Sequence, residues 1–265
     1  MKDSYGFPIL KINKLNQVKY GNIHYVYKSF DFLVKKKPGV KNIAVCFHGA
    51  SPSNKVVFRG YNYGGSKYDV LSIHDRILKS YGGKYLDGKL IMGWYLNSEK
   101  YPNMINTYSE IIKTITKDYN NVIFHGASAG GYPALYYASL TNQHCIIGNS
   151  QIYLDKYEYH EKTKDFMIKK SDKLIPYTNI HDQFKKHGYP KSIVLYCNIL
   201  DTHHYQEHAV PFVNKCKEDG FIVDFIHFSK EPTKEKNAHC VNLPSGNYGM
   251  VCAQYFEKLD KKSNK

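Results

Sequence analysis

Short apolar runs alternate with amphipathic stretches along most of this chain. The runs at 43–47, 90–94, 122–125, 145–148, 193–197 and 221–228 are rich in Val, Ile and aromatic residues and nearly free of charge. Such runs predict strands of a parallel sheet buried on both faces. Between them, Met104, Ile105, Tyr108, Ile111, Ile112 and Ile115 recur at helical spacing, as do Tyr248, Val251, Cys252, Tyr255, Phe256 and Leu259. Both stripes predict helices that face the core. Strand-helix alternation of this kind predicts an α/β fold, a mostly parallel doubly wound sheet with helices on both faces. Residues 1–41 read as an added hairpin or extended cover, with Pro38-Gly39 marking the turn before the first core strand. No internal repeat or low-complexity linker divides residues 1–265, so a single domain is expected, ending in a basic tail at 258–265.

The richest segment is Asn121-Val-Ile-Phe-His-Gly-Ala-Ser-Ala-Gly-Gly131, followed by Tyr-Pro-Ala-Leu-Tyr-Tyr. It reads as a strand, an abrupt turn of small residues, and a helix. Ser128 stands at the apex of a G-x-S-x-G frame. So sharp a turn strains the central residue and leaves room only for small neighbours, and it lifts the hydroxyl above the sheet edge at a helix start. Dinucleotide and phosphate loops also begin with a glycine-rich strand-to-helix turn. Their G-x-G-x-x-G and G-x-x-x-x-G-K-[ST] patterns are not present here.

A serine hydroxyl becomes a strong nucleophile only beside a base, and the base needs a partner that fixes its tautomer. On a sheet of this type the order along the chain is Ser, then acid, then His, the last two on loops after late strands. Asp201 follows the strand at 193–197, and His239 follows the strand at 221–228, so these two are expected to complete the site. His203, His204 and His208 are alternative bases but read better as groups lining the site. Asp224 and Glu207 are alternative acids, one within a strand and the other on a helix. His203-His204-x-x-x-His208 also invites a metal reading, yet no H-E-x-x-H or cysteine partner completes a ligand set, and no metal is expected. The oxyanion requires two backbone amides. One is expected from Ala129, and the other from the His48-Gly49-Ala50-Ser51 loop, with Ala50 ahead of Ser51. Candidate substrate contacts are His48, Arg59, Asp75 and His204. Arg59 and Asp75 could equally form a structural salt bridge.

Charge and cysteine usage add to this picture. A formal net charge of +14 would attract anionic partners such as an acidic glycan or a phosphate-bearing acyl donor. Its lysines cluster at 35–37, 162–173 and 258–265, where runs of this kind are usually solvated, and no nucleic-acid-binding signature accompanies them. The 25 tyrosines suit carbohydrate stacking. No stretch approaches the ~20 apolar residues of a membrane span, and no signal peptide is expected at the N-terminus. The six cysteines are scattered without a C-x-x-C pair, which favours a cytoplasmic setting with free thiols.

With those residues placed, the chain resembles the α/β-hydrolase superfamily over most of 42–258, on His48-Gly49, Gly126-Ala-Ser-Ala-Gly130, Asp201 and His239. More narrowly, Phe58-Arg-Gly-Tyr-Asn-Tyr63, Val70-Leu-Ser-Ile-His-Asp-Arg-Ile-Leu78, Gly93-Trp-Tyr95 and Asn149-Ser-Gln151 are similar to bacterial capsule and surface-polysaccharide biosynthesis proteins. Related members of that group include capsule O-acetyltransferases and an accessory component of glycoprotein export. The chain departs from the pattern at Arg76, where a proline is expected, and at Ser150. The resemblance implies acyl chemistry on a sugar hydroxyl, either ester hydrolysis or transfer from a donor such as acetyl-CoA, with no other cofactor. It also admits a binding or export-assisting protein that keeps the fold without catalysis. A serine peptidase has no sequence feature of its own here.

Overall fold

The structure is a computed structural model, and it describes residues 1–51, 55–65, 67–81, 92–157, 179–234 and 237–263. Among these residues nine strands form one sheet: β1 (Ile9–Ile12), β2 (Gly21–Tyr27), β3 (Phe30–Lys36), β4 (Asn42–Phe47), β5 (Asp69–Ile73), β6 (Asn121–Ala127), β7 (His144–Gly148), β8 (Ser192–Asn198) and β9 (Asp224–Phe228). Their spatial order is β1-β2-β3-β5-β4-β6-β7-β8-β9. β3 is antiparallel to both neighbours, and every other pairing is parallel. The α-helices among the described residues are α1 (Arg76–Tyr81), α2 (Met104–Thr116), α3 (Gly131–Thr141), α4 (Ile180–His187), α5 (Val210–Glu218) and α6 (Tyr248–Ser263).

Alternation along the central strands divides the apolar interior in two, because successive side chains of a strand point to opposite faces. Ile43, Val45 and Phe47 of β4 join a large cluster with residues of α2, α3, α4 and α5. Ala44 and Cys46 join a smaller one with Tyr248, Cys252 and Phe256 of α6. Burying both faces explains why the central strands read as continuous apolar runs. β2 and β3 form the expected N-terminal hairpin, closed by Lys28 and Ser29 at positive φ, and β3 pairs directly with β5.

Three expectations change. The strand expected at 90–94 does not form over its described part: Met92 to Tyr95 make a tight turn, with Trp94 and Tyr95 at φ 48° and 58°. Leu90 and Ile91 lie outside the described residues, as do the lysines at 162–173. The cause of the turn is Asp75, whose Oδ2 accepts the amides of Gly93 at 2.9 Å and Tyr95 at 3.3 Å and curls the chain around itself. β9 begins at Asp224 rather than 221, because Phe221 closes the end of α5 by donating its amide to the Cys216 carbonyl and stacks on Tyr189. β5 is a further core strand, fully buried although Asp69 and Ser72 interrupt its apolar pattern.

Candidate active site

The register of the parallel strands sets the site. At the carboxyl end of the sheet Phe47 of β4 lies beside Gly126 of β6, Ala127 beside Gly148 of β7, and Gly148 beside Tyr196 of β8. The chain therefore leaves four adjacent strands on one rim, carrying His48–Ala50, Ser128, Asn149 and Asp201 in that spatial order. In open α/β sheets this rim is where ligands bind.

Ser128 follows β6 directly at φ 56° and opens a 3-10 turn that runs into α3. A left-handed non-glycine residue costs about 1 to 3 kcal/mol, and the surrounding contacts hold it in place. A Cβ at Gly126 would run into the Gly130 carbonyl, and one at Gly130 would stand 2.6 Å from the Phe47 carbonyl oxygen. The glycines of the motif thus follow from how closely the turn meets its own backbone and the end of β4. The Ser128 carbonyl also accepts the Gln151 amide at 3.1 Å, and Gln151 in turn accepts the Trp94 indole N–H at 3.0 Å.

Ser128, His239 and Asp201 meet. The serine hydroxyl donates to His239 Nε2 at 2.8 Å, and His239 Nδ1 donates to Asp201 Oδ2 at 2.8 Å. Since a carboxylate can only accept, the second contact fixes the imidazole tautomer that leaves Nε2 free to take a proton. Burial alone would raise the Asp201 pKa, but hydrogen bonds from His204 and His239 overcome it and hold the carboxyl well below its ordinary range.

His239 sits in a 3-10 turn, Ala238–Cys240, that is pinned through its backbone. Asn149 donates Nδ2 to the His239 carbonyl at 3.0 Å, and its Oδ1 accepts the Asn198 amide at 2.9 Å. Asn198 donates its own Nδ2 to the Lys230 carbonyl at 2.8 Å. Neither asparagine carried a site role in the sequence reading. Their position directly at the ends of β7 and β8 is the signal that could have found them, since polar residues buried at a sheet rim must have partners.

The His48–Ser51 loop lies against Ser128: a Cβ on Gly49 would stand 3.4 Å from Ser128 Cβ. His48 Nδ1 donates to the Gly49 carbonyl at 2.7 Å, while its Nε2 accepts the Asp75 amide at 3.0 Å. Both imidazole nitrogens are thus spent on backbone, and burial lowers the His48 pKa to about 4, keeping it neutral. Every described peptide is trans, so fixing the Gly49 carbonyl also fixes the opposite direction of the Ala50 N–H. His48 therefore braces the loop through its ring, and it also lines the cleft beside Arg59. Asp75 is internal. It accepts the amides of Ile77, Gly93 and Tyr95, and burial raises its carboxyl to about 6 against those three bonds. Arg59 does not pair with Asp75; its guanidinium lies 5.7 Å from the Tyr248 ring centroid, in the wall of a cleft of about 750 Å³. Gly49, Ala50, Tyr61, Tyr63 and Cys240 also line that cleft, which opens beside the His239 turn.

His204 is turned inward, 8% exposed, and donates Nδ1 to Asp201 Oδ1 at 3.0 Å, so it contacts the acid rather than the cleft. His203 is exposed, and His208 accepts the amides of Ile152 and Tyr153 through Nδ1. The sequence cluster His203, His204 and His208 is therefore not arranged as a ligand set. Asp201, His204 and His239 do bring potential ligand atoms within 4.8 Å of one another, and both imidazole Nδ1 atoms are hydrogen-bonded to Asp201. Glu207 is exposed, and Asp224 stands at the opposite, amino end of its strand.

No protein-family model matches the sequence, and no curated protein matches it. Among solved structures, the capsule O-acetyltransferase of Neisseria meningitidis serogroup A superposes with a TM-score of 0.61 at 18% identity, covering 92% of this chain and 96% of that one. A mutant of that enzyme in complex with CoA gives 0.60 at 19% identity, covering 93% and 99%. Esterase B from Lactobacillus rhamnosis gives 0.55 at 10% identity, covering 88% and 83%. The chain has the α/β-hydrolase fold of these proteins.

Proposed function

We propose that this protein is a serine-dependent acyl-transfer enzyme, an O-acetyltransferase or esterase, that acts on a carbohydrate. The observation that carries this reading is the unbroken hydrogen-bond chain from Ser128 Oγ through both nitrogens of His239 to Asp201. In this reading the sheet is doubly wound, and the two apolar clusters on its opposite faces support it.

His239 Nε2 takes the hydroxyl proton as Ser128 Oγ attacks the acyl carbonyl. Asp201 stabilises the imidazolium formed, and the amides of Ala129 and Ala50 hold the oxyanion. The bond from acyl carbon to leaving group then breaks, and His239 returns the proton to the departing oxygen or sulfur. A water or a sugar hydroxyl gives its proton to His239 and attacks the acyl-serine; the acyl–Oγ bond then breaks as His239 passes that proton to Ser128 Oγ. Each oxyanion donor accounts for about 10²–10³ in turnover. The tyrosines and Arg59 of the cleft suit a sugar acceptor that carries negative charge, and the net charge of +14 favours anionic reactants generally. The likeness to a capsule O-acetyltransferase, solved with CoA in one form, makes acetyl-CoA the first donor to try.

A serine-directed fluorophosphonate tests this reading. Label is expected on Ser128, absent in Ser128→Ala and strongly slowed in His239→Ala. No label on Ser128, together with unchanged cellular function in Ser128→Ala, would assign the chain to the non-catalytic, binding class. Turnover of a small acetyl ester in water, compared with and without a glycan acceptor, separates hydrolase from transferase.

A further inference from the structure

Asp201 is gripped by two imidazoles, not one. His239 Nδ1 reaches Oδ2 at 2.8 Å and His204 Nδ1 reaches Oδ1 at 3.0 Å. The His204 ring also lies against the His239 ring, with centroids 4.2 Å apart and planes at 27°. Resting on the acyl-transfer reading above, we propose that His204 is a positioning residue for the triad: its N–H locks the Asp201 carboxylate in the plane that receives His239, and its uncharged ring supports the imidazolium that forms during reaction.

The geometry explains why a second donor matters. Asp201 is anchored by one backbone bond at each side: its amide donates to the Asn198 carbonyl, and its carbonyl accepts from Tyr205. Neither bond restrains rotation of the carboxylate about its last torsion, which is broad for Asp. A donor on Oδ1 restrains that rotation and so holds Oδ2 toward His239 Nδ1. A charge-assisted bond of this kind is about twice as strong as a neutral one.

The stacked ring must also stay uncharged, or it would oppose the proton arriving on His239. The groups that face His204 are Asp201, His203, His208 and His239. Burial is the main cause that lowers the His204 pKa, and the neighbouring imidazoles act in the same direction; only Asp201 opposes them. Its Nε2 is buried and has no hydrogen-bond partner among the described residues, so a proton placed there would lie unsolvated. The device arises from a stretch of π-helix, His204–Ala209, whose wide first turn begins at this residue.

Two substitutions separate positioning from packing. His204→Phe keeps a buried stacked ring and removes the donor, whereas His204→Asn keeps an N–H near the position of Nδ1 and removes the ring. We expect His204→Phe to lower kcat for a small acetyl ester about ten- to a hundred-fold with KM nearly unchanged, as for loss of one hydrogen bond to a charged group. His204→Asn should recover most of that loss although it packs less well. A readout independent of turnover is the far-downfield proton resonance of His239 Nδ1–H. It should shift or broaden in His204→Phe and stay close to its original position in His204→Asn. Equal kcat in wild type and His204→Phe with an unmoved resonance would overturn the proposal, as would activity that tracks ring volume instead of the donor. If the resonance responds as described while Ser128 in the wild type takes no fluorophosphonate, the acyl-transfer reading fails and the positioning of His239 stands.

Discussion

Four histidines, His48, His74, His125 and His208, are fully or almost fully buried. Burial is the leading cause that lowers each pKa, to about 4 for His48 and about 3 for His125 and His208, and well below 6.5 for His74. Their ring nitrogens bond to backbone. His125 donates to the Ile146 carbonyl, His74 accepts the Val57 amide, and His208 accepts two amides. A second proton on any of them would break an accepted bond or enter a site without an acceptor. In the unfolded chain the same groups titrate near 6.5. Below that value the unfolded state binds more protons than the native one, so stability is fully present above the unfolded pKa and falls with pH toward the folded pKa. Each such group contributes a slope of about 1.4 kcal/mol per pH unit, and four together give about 5 to 6 kcal/mol per unit. Domains are typically stable by about 5–15 kcal/mol, so acid unfolding is expected about one to three units below pH 6.5. The assay is urea unfolding followed by circular dichroism at several values between about pH 7.5 and pH 5, with the slope giving net proton uptake. His125→Phe should reduce that uptake by about one proton. A urea midpoint that stays constant or rises over this range would refute the argument, because it would mean that these imidazoles are not neutral in the fold.

Three further outcomes test the site and its turn. Asp201→Asn should fold and lose about 10³–10⁴ in kcat, because an NH2 that can only donate replaces one of the two oxygens that face imidazole N–H groups; steady-state turnover together with melting temperature checks this. Gly130→Ala should destabilise by about 3 kcal/mol or more in a denaturant titration, since the new methyl meets two backbone carbonyls of the β4 exit that cannot give way. His48→Phe should lower kcat by about a hundred-fold with little change in KM, measured on a small ester, because the Gly49 peptide loses its fixed orientation.

Much of this arrangement is legible along the chain because it follows from local chemistry. Strands buried on both faces are continuous apolar runs, and a strained serine turn must be flanked by residues without bulk. The chain order of Ser128, Asp201 and His239 then follows from sheet topology. Other features arise only from contacts between distant segments. Asp75 looks like an exposed acid near a binding loop, but it becomes the hub of a buried turn because the chain around residues 93–95 folds back on it. His204 differs from His203 in nothing local, and only the widened helical turn points one toward the acid and the other outward. β5 escapes its pattern because Asp69 and Ser72 stand in a strand whose burial comes from neighbours rather than from its own composition.

The Asn149 carboxamide ties the exits of β7 and β8 to the turn that carries the imidazole, so the reactive groups are in register before any reactant arrives. By contrast, the cleft wall around Arg59 and Tyr61 and the stretch that follows Cys240 belong to connecting segments. Under the proposed acyl-transfer function, that separation lets the wall be rebuilt for a different acceptor while the chain from Ser128 through His239 to Asp201 is left untouched. Library design on this scaffold should therefore randomise the wall and leave both rim asparagines fixed.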